Sequence, residues 1–221
     1  MCIRDRISTS RKQLTRRRIL FLGAHPDDME TGSSGLLMKM LGKAKCFHIV
    51  FASGAEQPGN ETIFEEFENA MKVLEMPSGS FEMKDLPNTK FPENEAKIRE
   101  ILEEARDKWK PDTIVTHYIP NTHQDHETLT KNVLRVFKTQ TILMYEDFKS
   151  TPGFLPNLLV PLTKEEVEKK VKVLECYKSQ FRRYYHDMDY VRAIAKMRGK
   201  RVNLDYAEAF CVYQLVLDSY G

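Results

Sequence analysis

Short apolar runs alternate with amphipathic segments along most of the chain, and their spacing predicts the secondary structure. Residues 19–24 and 46–52 are continuous apolar runs of the kind that form buried strands. Elsewhere, apolar residues recur three and four positions apart, as on one face of a helix. The pattern up to residue 145 predicts strands over 19–24, 46–52, 113–118 and 141–145, and helices over 31–41, 63–74, 98–109 and 128–137.

Strand and helix alternate four times in this prediction, which indicates a mostly parallel sheet with helices on both faces. We therefore predict a single-domain, Rossmann-like α/β fold, which the length of 221 residues allows. Residues 78–92 are typical of a loop, anchored by Phe81 and Leu86. The last third is predicted to contain helices over 164–181 and 188–197 and a final strand over 209–217.

Charge is distributed unevenly. Residues 1–18 carry seven basic side chains and one acidic one, whereas the rest of the chain has 27 basic and 31 acidic residues. We interpret residues 1–17 as a disordered basic extension of a domain over 18–221. The extension is partly artefactual, because residues 1–6 match the read-through of a common sequencing adaptor. A basic tail on an acidic body lacks the folded basic face that nucleic acids require, so no nucleic-acid partner is expected.

Composition also indicates the cellular compartment in which the protein is expected. Hydrophobic residues make up 41% and charged residues 30% of the chain, as in soluble globular proteins. No stretch approaches the ~18 apolar residues of a membrane span, and the run at 19–24 is too short for the core of a secretion signal. The scattered cysteines indicate neither a disulfide framework nor a thiolate metal site, so a cytoplasmic protein is expected; they are Cys2, Cys46, Cys176 and Cys211.

Two polar clusters each follow a predicted strand: residues 24–30 (AHPDDME) and residues 123–126 (HQDH). The carboxyl ends of parallel strands meet at one edge of a sheet, where ligands bind, so the two loops are expected to lie side by side. Two histidines and one carboxylate, with one position left open, form a common catalytic zinc site. The pair of clusters therefore predicts a metal site.

Spacing within the clusters indicates which residues could bind the metal and which could transfer protons. His25 and Asp28 are three residues apart and can point the same way in a turn that leads into a helix, whereas Asp27 must point differently. One aspartate can then bind metal while the other transfers protons. His123 and His126 repeat the spacing, and Asp125 between them is available to orient an imidazole through its N–H.

Each cluster alone also has a structural explanation. Asp27 or Asp28 could cap the helix over 31–41, and HQDH could form a surface turn. The occurrence of both clusters after strands of one sheet favours the metal site. The remaining histidines are interpreted as structural or solvated: His48, His117 and His186.

At these residues the chain resembles the PIG-L/LmbE-like zinc N-deacetylases, which remove acetyl groups from N-acetylglucosamine carried on inositol, malate or lipid. The resemblance rests on residues 24–30 and 123–126, with support from Ser179-Gln180 and residues 206–210 (YAEAF), and covers about residues 18–217. It implies the following roles: His25, Asp28 and His126 bind Zn²⁺, Asp27 is the general base, and His123, paired with Asp125, is the acid and oxyanion stabiliser.

The resemblance implies a zinc-dependent hydrolase that removes an N-acetyl group from an N-acetylglucosamine-type sugar or sugar conjugate. Many members carry an arginine before the second helix that contacts substrate, whereas this chain has Ile63 there. One alternative is a metal-dependent amidase acting on a non-sugar N-acyl substrate. Another is a non-catalytic module that binds phosphate at a helix N-terminus, which Asp27, Asp28 and Glu30 would oppose. A homo-oligomer is possible, with residues 164–183 as either an interface or a solvated face.

Overall fold

The computed structural model describes residues 17–181 and 187–217. The strands in these ranges are β1 Arg18–Gly23, β2 Lys45–Val50, β3 Phe81–Met83, β4 Thr113–His117, β5 Thr141–Tyr145, β6 Leu158–Leu162 and β7 Tyr206–Gln214. The helices are α1 Asp28–Met40, α2 Ile63–Leu74, α3 Glu95–Trp109, α4 Gln124–Val136, α5 Lys164–Leu174 and α6 Met188–Lys200. Short 3₁₀ helices cover Phe91–Asn94 and Lys178–Gln180.

All seven strands form one sheet in the order β3-β2-β1-β4-β5-β7-β6. The first five strands in this order run parallel to one another, and β7 runs antiparallel to both β5 and β6. The predicted single-domain α/β fold with a mostly parallel sheet is therefore confirmed. β1 and β4 are neighbours although about ninety residues separate them, and this crossover brings the two polar clusters to one edge.

Hydrophobic cores cover both faces of the sheet because alternate residues of each strand point to opposite sides. In β1, Leu20 and Leu22 belong to the core beneath α3 and α4. Ile19 and Phe21 belong to the other core, beneath α1 and α2. Strands buried on both faces appear in the sequence as continuous apolar runs, which is the pattern that predicted β1.

The predictions were wrong at the edges of the sheet. The loop prediction for residues 78–92 missed β3, whose three residues are defined by pairing with β2. β6 was also missed because Pro161 interrupts its apolar pattern, and an edge strand tolerates such a proline. The helix predicted over 164–181 ends at Leu174, where the chain turns so that the hydroxyl of Tyr177 donates to Glu30 at 2.5 Å. β7 begins three residues earlier than predicted and ends at Gln214.

Helix α1 lies unusually close to the sheet, and two glycines permit the approach. A Cβ at Gly32 would lie 2.1 Å from the ring of Tyr145, and one at Gly35 would lie 2.7 Å from Leu162. Any larger side chain at either position would push the helix away from the sheet. Since α1 begins at Asp28, this contact also positions the first polar cluster.

A buried carboxylate fixes α1 to the C-terminal strand. The side chain of Glu208 in β7 accepts hydrogen bonds from the backbone N–H groups of Gly35 and Leu36, at 2.7 and 2.8 Å. Lys170 of α5 lies 2.6 Å from the same carboxylate and balances its charge. The antiparallel strands therefore hold the helix that carries Asp28.

Among the described residues, no helix combines the length and the apolar character needed to cross a membrane. The three cysteines in these ranges are free thiols: Cys46, Cys176 and Cys211. Two predictions lie outside the described residues, namely the disorder of the extension over residues 1–16 and the structural or solvated role of His186.

Replacing Gly32 with alanine should destabilise the fold by roughly 1–3 kcal/mol, because the added methyl group would overlap the ring of Tyr145. Denaturant unfolding monitored by circular dichroism measures the change. Gly153→Ala is the matched control, since a Cβ there meets nothing within 4 Å. Equal stability of the two variants would contradict the close-approach argument.

Candidate metal centre

The two polar clusters meet beyond the carboxyl ends of β1 and β4. His25 and Asp28 follow β1, and His126 lies in the first turn of α4, which follows β4. Three of their side-chain atoms converge on one point. His25 Nδ1 lies 3.2 Å from His126 Nε2 and 3.4 Å from Asp28 Oδ2, and His126 Nε2 lies 3.3 Å from Asp28 Oδ2.

These spacings fit a tetrahedral metal site. Zn–N and Zn–O bonds of about 2.0–2.1 Å place neighbouring ligand atoms about 3.3 Å apart. Three ligands occupy three vertices, which leaves the fourth for water or substrate. The described residues could therefore hold a metal ion at this point without rearrangement.

Two further carboxylates orient the imidazoles from outside. Asp125 Oδ2 lies 3.0 Å from His25 Nε2, and Asp147 Oδ2 lies 3.1 Å from His126 Nδ1. Each carboxylate favours a proton on the outer nitrogen, so in the neutral rings the inner nitrogens carry lone pairs. Two lone pairs facing each other across 3.2 Å, beside the Asp28 oxygen, repel one another unless a cation or a proton lies between them.

The electrostatics of the metal-free protein reflect this convergence of negative charge. Burial opposes charge on His25, yet hydrogen bonds to Asp125 and Asp28 raise its pKa to about 9. Burial also opposes charge on His126, but Asp28 and Asp147 raise its pKa. Although burial favours the neutral form of Asp28, the neighbouring His126 holds its pKa well below the usual range. A site that favours extra protons on its histidines is also one that attracts a metal cation.

Asp125 does not orient the histidine predicted for it. Its carboxylate accepts from the backbone N–H groups of Thr89 and Phe91, at 2.7 and 3.2 Å, in addition to contacting His25. Only its own backbone N–H approaches His123, donating to Nδ1 at 3.2 Å. The expected pairing of His123 with the Asp125 carboxylate is therefore corrected to a pairing with His25, whose ring stacks against Phe91 with centroids 5.9 Å apart.

His123 is held as a neutral imidazole. Because Nδ1 accepts the backbone N–H of Asp125, the ring proton is on Nε2. Burial, together with the positive charges of His126 and His25, lowers the pKa of His123 to about 4. A neutral N–H can donate a hydrogen bond to a developing oxyanion, and this favours oxyanion stabilisation over the acid role for His123.

Asp27 adopts a left-handed backbone conformation, with φ of 77°, immediately before α1. Aspartate tolerates this region better than most residues, and Asp27 lines the cleft described below. The Asp27 side chain makes no capping hydrogen bond, and Asp28 accepts from the backbone N–H of His25 at 2.8 Å rather than from the first turn. The helix-cap explanation of this cluster is therefore wrong.

A cleft of about 340 Å³ opens beside the converging atoms. Its walls include carboxamides and hydroxyl groups in addition to histidines; the main members are His25, Asp27, Ser53, Gln57, Asn60, Ile63, Asn88, Thr89, Thr122, His123, Lys149, Ser150 and Gln180. Lys149 Nζ lies 3.8 Å from Asp28 Oδ1. Ile63 contributes an apolar surface to a lining that is otherwise mostly neutral and polar.

The other described histidines, His48 and His117, are buried and make contacts with the backbone. His117 Nε2 is 3.5 Å from Asp28 Oδ2, but it already accepts the backbone N–H of Ala24 at 3.0 Å and so has no lone pair for a metal. His48 Nδ1 bonds to the backbone carbonyl of Phe21. Sequence reasoning missed Asp147, although its position two residues after a predicted strand was a usable signal.

Comparison with known proteins identifies similar molecules. A profile of the family described as PIG-L, GlcNAc-PI de-N-acetylase, matches residues 20–137. N,N'-diacetylchitobiose deacetylase from Pyrococcus horikoshii, solved with an inhibitor, has 16% identity and a TM-score of 0.73, with 99% of this chain and 97% of that chain covered. A zinc-inhibited form of teicoplanin deacetylase Orf2 has 16% identity and a TM-score of 0.71, with 87% and 96% covered.

The fold also supports another reaction. GalB, the 4-carboxy-2-hydroxymuconate hydratase of Pseudomonas putida KT2440, has 15% identity and a TM-score of 0.66, with 93% of this chain and 100% of that chain covered. At such identities the structural similarity establishes the fold alone, because one fold can host different reactions.

In the metal-free protein, the His25 ring should stay protonated until about pH 9, as measured by NMR titration after chelator treatment. Because this pKa exceeds the ordinary 6.5, the charge stabilises the fold fully below about pH 6.5, and that contribution is lost as the pH rises to 9. His48, whose pKa burial lowers to about 4, is the internal control and should remain neutral. Asp125→Asn should lower the His25 pKa; an unchanged value would contradict the role of Asp125.

Proposed function

The chain belongs to the PIG-L family, whose profile covers just over half of its residues, and from that premise we propose that it is a zinc-dependent N-deacetylase. Its substrate would be an N-acetylglucosamine-type sugar or sugar conjugate. The observation that carries the proposal is the convergence of His25, Asp28 and His126 at mutual distances of 3.2–3.4 Å, beside an open cleft.

His25, Asp28 and His126 would hold the ion, with Asp125 and Asp147 orienting the two imidazoles. When bound, zinc supplies a Lewis acid that polarises a carbonyl group and lowers the pKa of water to about 7. The donor set of two imidazoles and one carboxylate suits this metal.

Asp27 is the proposed general base. It lies next to a proposed ligand in the sequence, has a left-handed backbone conformation and lines the cleft. From there it would accept a proton from the attacking water and return it to the departing amine. His123 would donate its Nε2–H to the acetamide oxygen as that atom gains negative charge.

The size and chemistry of the cleft support a sugar as the substrate. About 340 Å³ lies at the small end of ligand pockets, which is enough for one ring with the remainder of a conjugate outside. Carboxamide and hydroxyl side chains can exchange hydrogen bonds with ring hydroxyls. A non-sugar N-acyl amine remains the alternative substrate, and acetate release from a panel of N-acetylated sugars and non-sugar amides separates the two.

The proposed setting is the cytoplasm, where the free thiols of the described chain would stay reduced. The non-catalytic alternative, a phosphate-binding module, is disfavoured by the negative charges of Asp27 and Asp28 at the start of α1. Phosphate or nucleotide binding by the metal-free protein would favour that alternative.

Asp27→Asn should keep stoichiometric zinc and lose roughly 10²- to 10⁴-fold in kcat, because the proposed base is gone while the ligands remain. His126→Ala should lose both zinc and turnover. Acetate release and metal content of the purified variants test both expectations. An active wild type without metal would contradict the assignment.

Asp147→Asn should weaken metal binding by roughly 10- to 100-fold, because an amide orients the His126 ring less strongly than a carboxylate does. Competition with a chromophoric chelator measures the affinity independently of turnover. Asp189→Asn is the matched control on the exposed start of α6 and should bind metal as the wild type does. Equal affinities for all three proteins would remove Asp147 from the site.

A further inference from the structure

One wall of the cleft contains a chain of hydrogen bonds that ends on Gln180. This residue closes the 3₁₀ helix Lys178–Gln180, and only 5% of its surface is exposed. Its side-chain amide nitrogen donates to Asn60 Oδ1 at 3.1 Å and to Ser179 Oγ at 2.8 Å. Both hydrogens of the amide therefore have acceptors within the protein.

The direction of these bonds is fixed at both ends. Asn60 Nδ2 donates to the backbone carbonyl of Gly54 at 2.9 Å, so the amide oxygen of Asn60 must face Gln180. Ser179 Oγ donates to Glu66 Oε2 at 2.6 Å, so its lone pairs face Gln180. A backbone carbonyl and a carboxylate can only accept, and the Gln180 amide consequently cannot flip.

This arrangement leaves Gln180 Oε1 as a preorganised acceptor in the wall of the cleft. Within residues 17–181 and 187–217, no group donates a hydrogen bond to it. An acceptor of this kind binds an O–H or N–H group, and it repels a carboxylate or phosphate oxygen. Its orientation is set before substrate arrives, so little ordering entropy opposes binding.

The position of the acceptor indicates which donor it meets. The proposed metal ligands lie beyond β1 and β4, whereas Gln180 bonds to Asn60 in the loop after β2, on the other side of β1. Gln180 and the proposed ligand His25 line the same cleft from different loops, so the acceptor faces a part of the substrate other than the reacting amide. In an N-acetylated amino sugar, the donor in such a part is a ring hydroxyl.

We propose that Gln180 is a specificity-determining residue whose Oε1 accepts a hydrogen bond from one ring hydroxyl of the sugar, with Ser179 and Glu66 as its positioning residues. The inference rests on the proposed deacetylase function. It selects a sugar with an uncharged, hydrogen-bond-donating hydroxyl at this position over one that carries phosphate or carboxylate there.

The test compares an N-acetylated amino sugar with analogues in which each ring hydroxyl in turn is replaced by fluorine. Fluorine is close to a hydroxyl in size but cannot donate. Zinc-loaded wild type should lose roughly 10- to 100-fold in kcat/KM on one analogue. Gln180→Leu should show a similar loss on the parent sugar and no further loss on that analogue, because the two changes remove the same hydrogen bond.

Two variants separate recognition from structure. Ser179→Ala keeps the backbone N–H bond to Glu66 but removes the hydroxyl, so discrimination against the same analogue should fall, and Ser179→Thr should restore it. Gln140→Leu is the matched control. Gln140 directly precedes β5, at the end of the sheet away from the cleft, so this variant should discriminate between the sugars as the wild type does.

Two results would overturn this inference and leave the deacetylase proposal standing. One is that Gln180→Leu still distinguishes the parent sugar from the fluorinated analogue as strongly as the wild type does. The other is that an active wild type has the same kcat/KM on the parent sugar and on every analogue. Failure of the zinc-loaded wild type to release acetate from any N-acetylated sugar would overturn both.

Discussion

The candidate site depends on two imidazoles whose inner nitrogens face each other across 3.2 Å. This contact is unfavourable between neutral rings, and the carboxylates of Asp125 and Asp147 lie against the outer nitrogens of the two rings. Asp28 adds a third electron-rich atom to the same point. The surrounding carboxylates favour positive charge at this point, and they raise the pKa values of both histidines against the effect of burial. The same electron-rich arrangement would favour the proposed metal ion.

The sheet holds the proposed ligands in place although their electron-rich atoms repel one another. β1 and β4 pair directly, so the two loops start from adjacent points on one hydrogen-bonded frame. Gly32 lets α1 lie against Tyr145, and the hydroxyl of Tyr145 in turn donates to the backbone carbonyl of Leu22 in β1. Each proposed ligand therefore lies at the end of a strand or in the first turn of a helix whose position is fixed by packing, as precise sites require.

Sequence reasoning found the parallel sheet and the two clusters because both leave local patterns: apolar runs for strands buried on two faces, and polar strings directly after them. It missed β6 because an edge strand containing Pro161 has no continuous apolar pattern. It paired Asp125 with its sequence neighbour His123, whereas the fold brings His25 closer from a hundred residues away. Asp147 follows a predicted strand, but its contact with His126 is likewise made only by the fold. Partners of a ligand are chosen by tertiary proximity, which local spacing does not encode.

The residues beyond the range matched by the family profile also help to position the candidate site. The family profile stops at residue 137, but Glu208 holds α1 through the N–H groups of Gly35 and Leu36, and Asp147 contacts His126. A fragment cut at the profile boundary would keep every proposed ligand and still lack the parts that hold them in place. The profile boundary is therefore not a structural boundary, because contacts from residues on both sides of it position the proposed ligands.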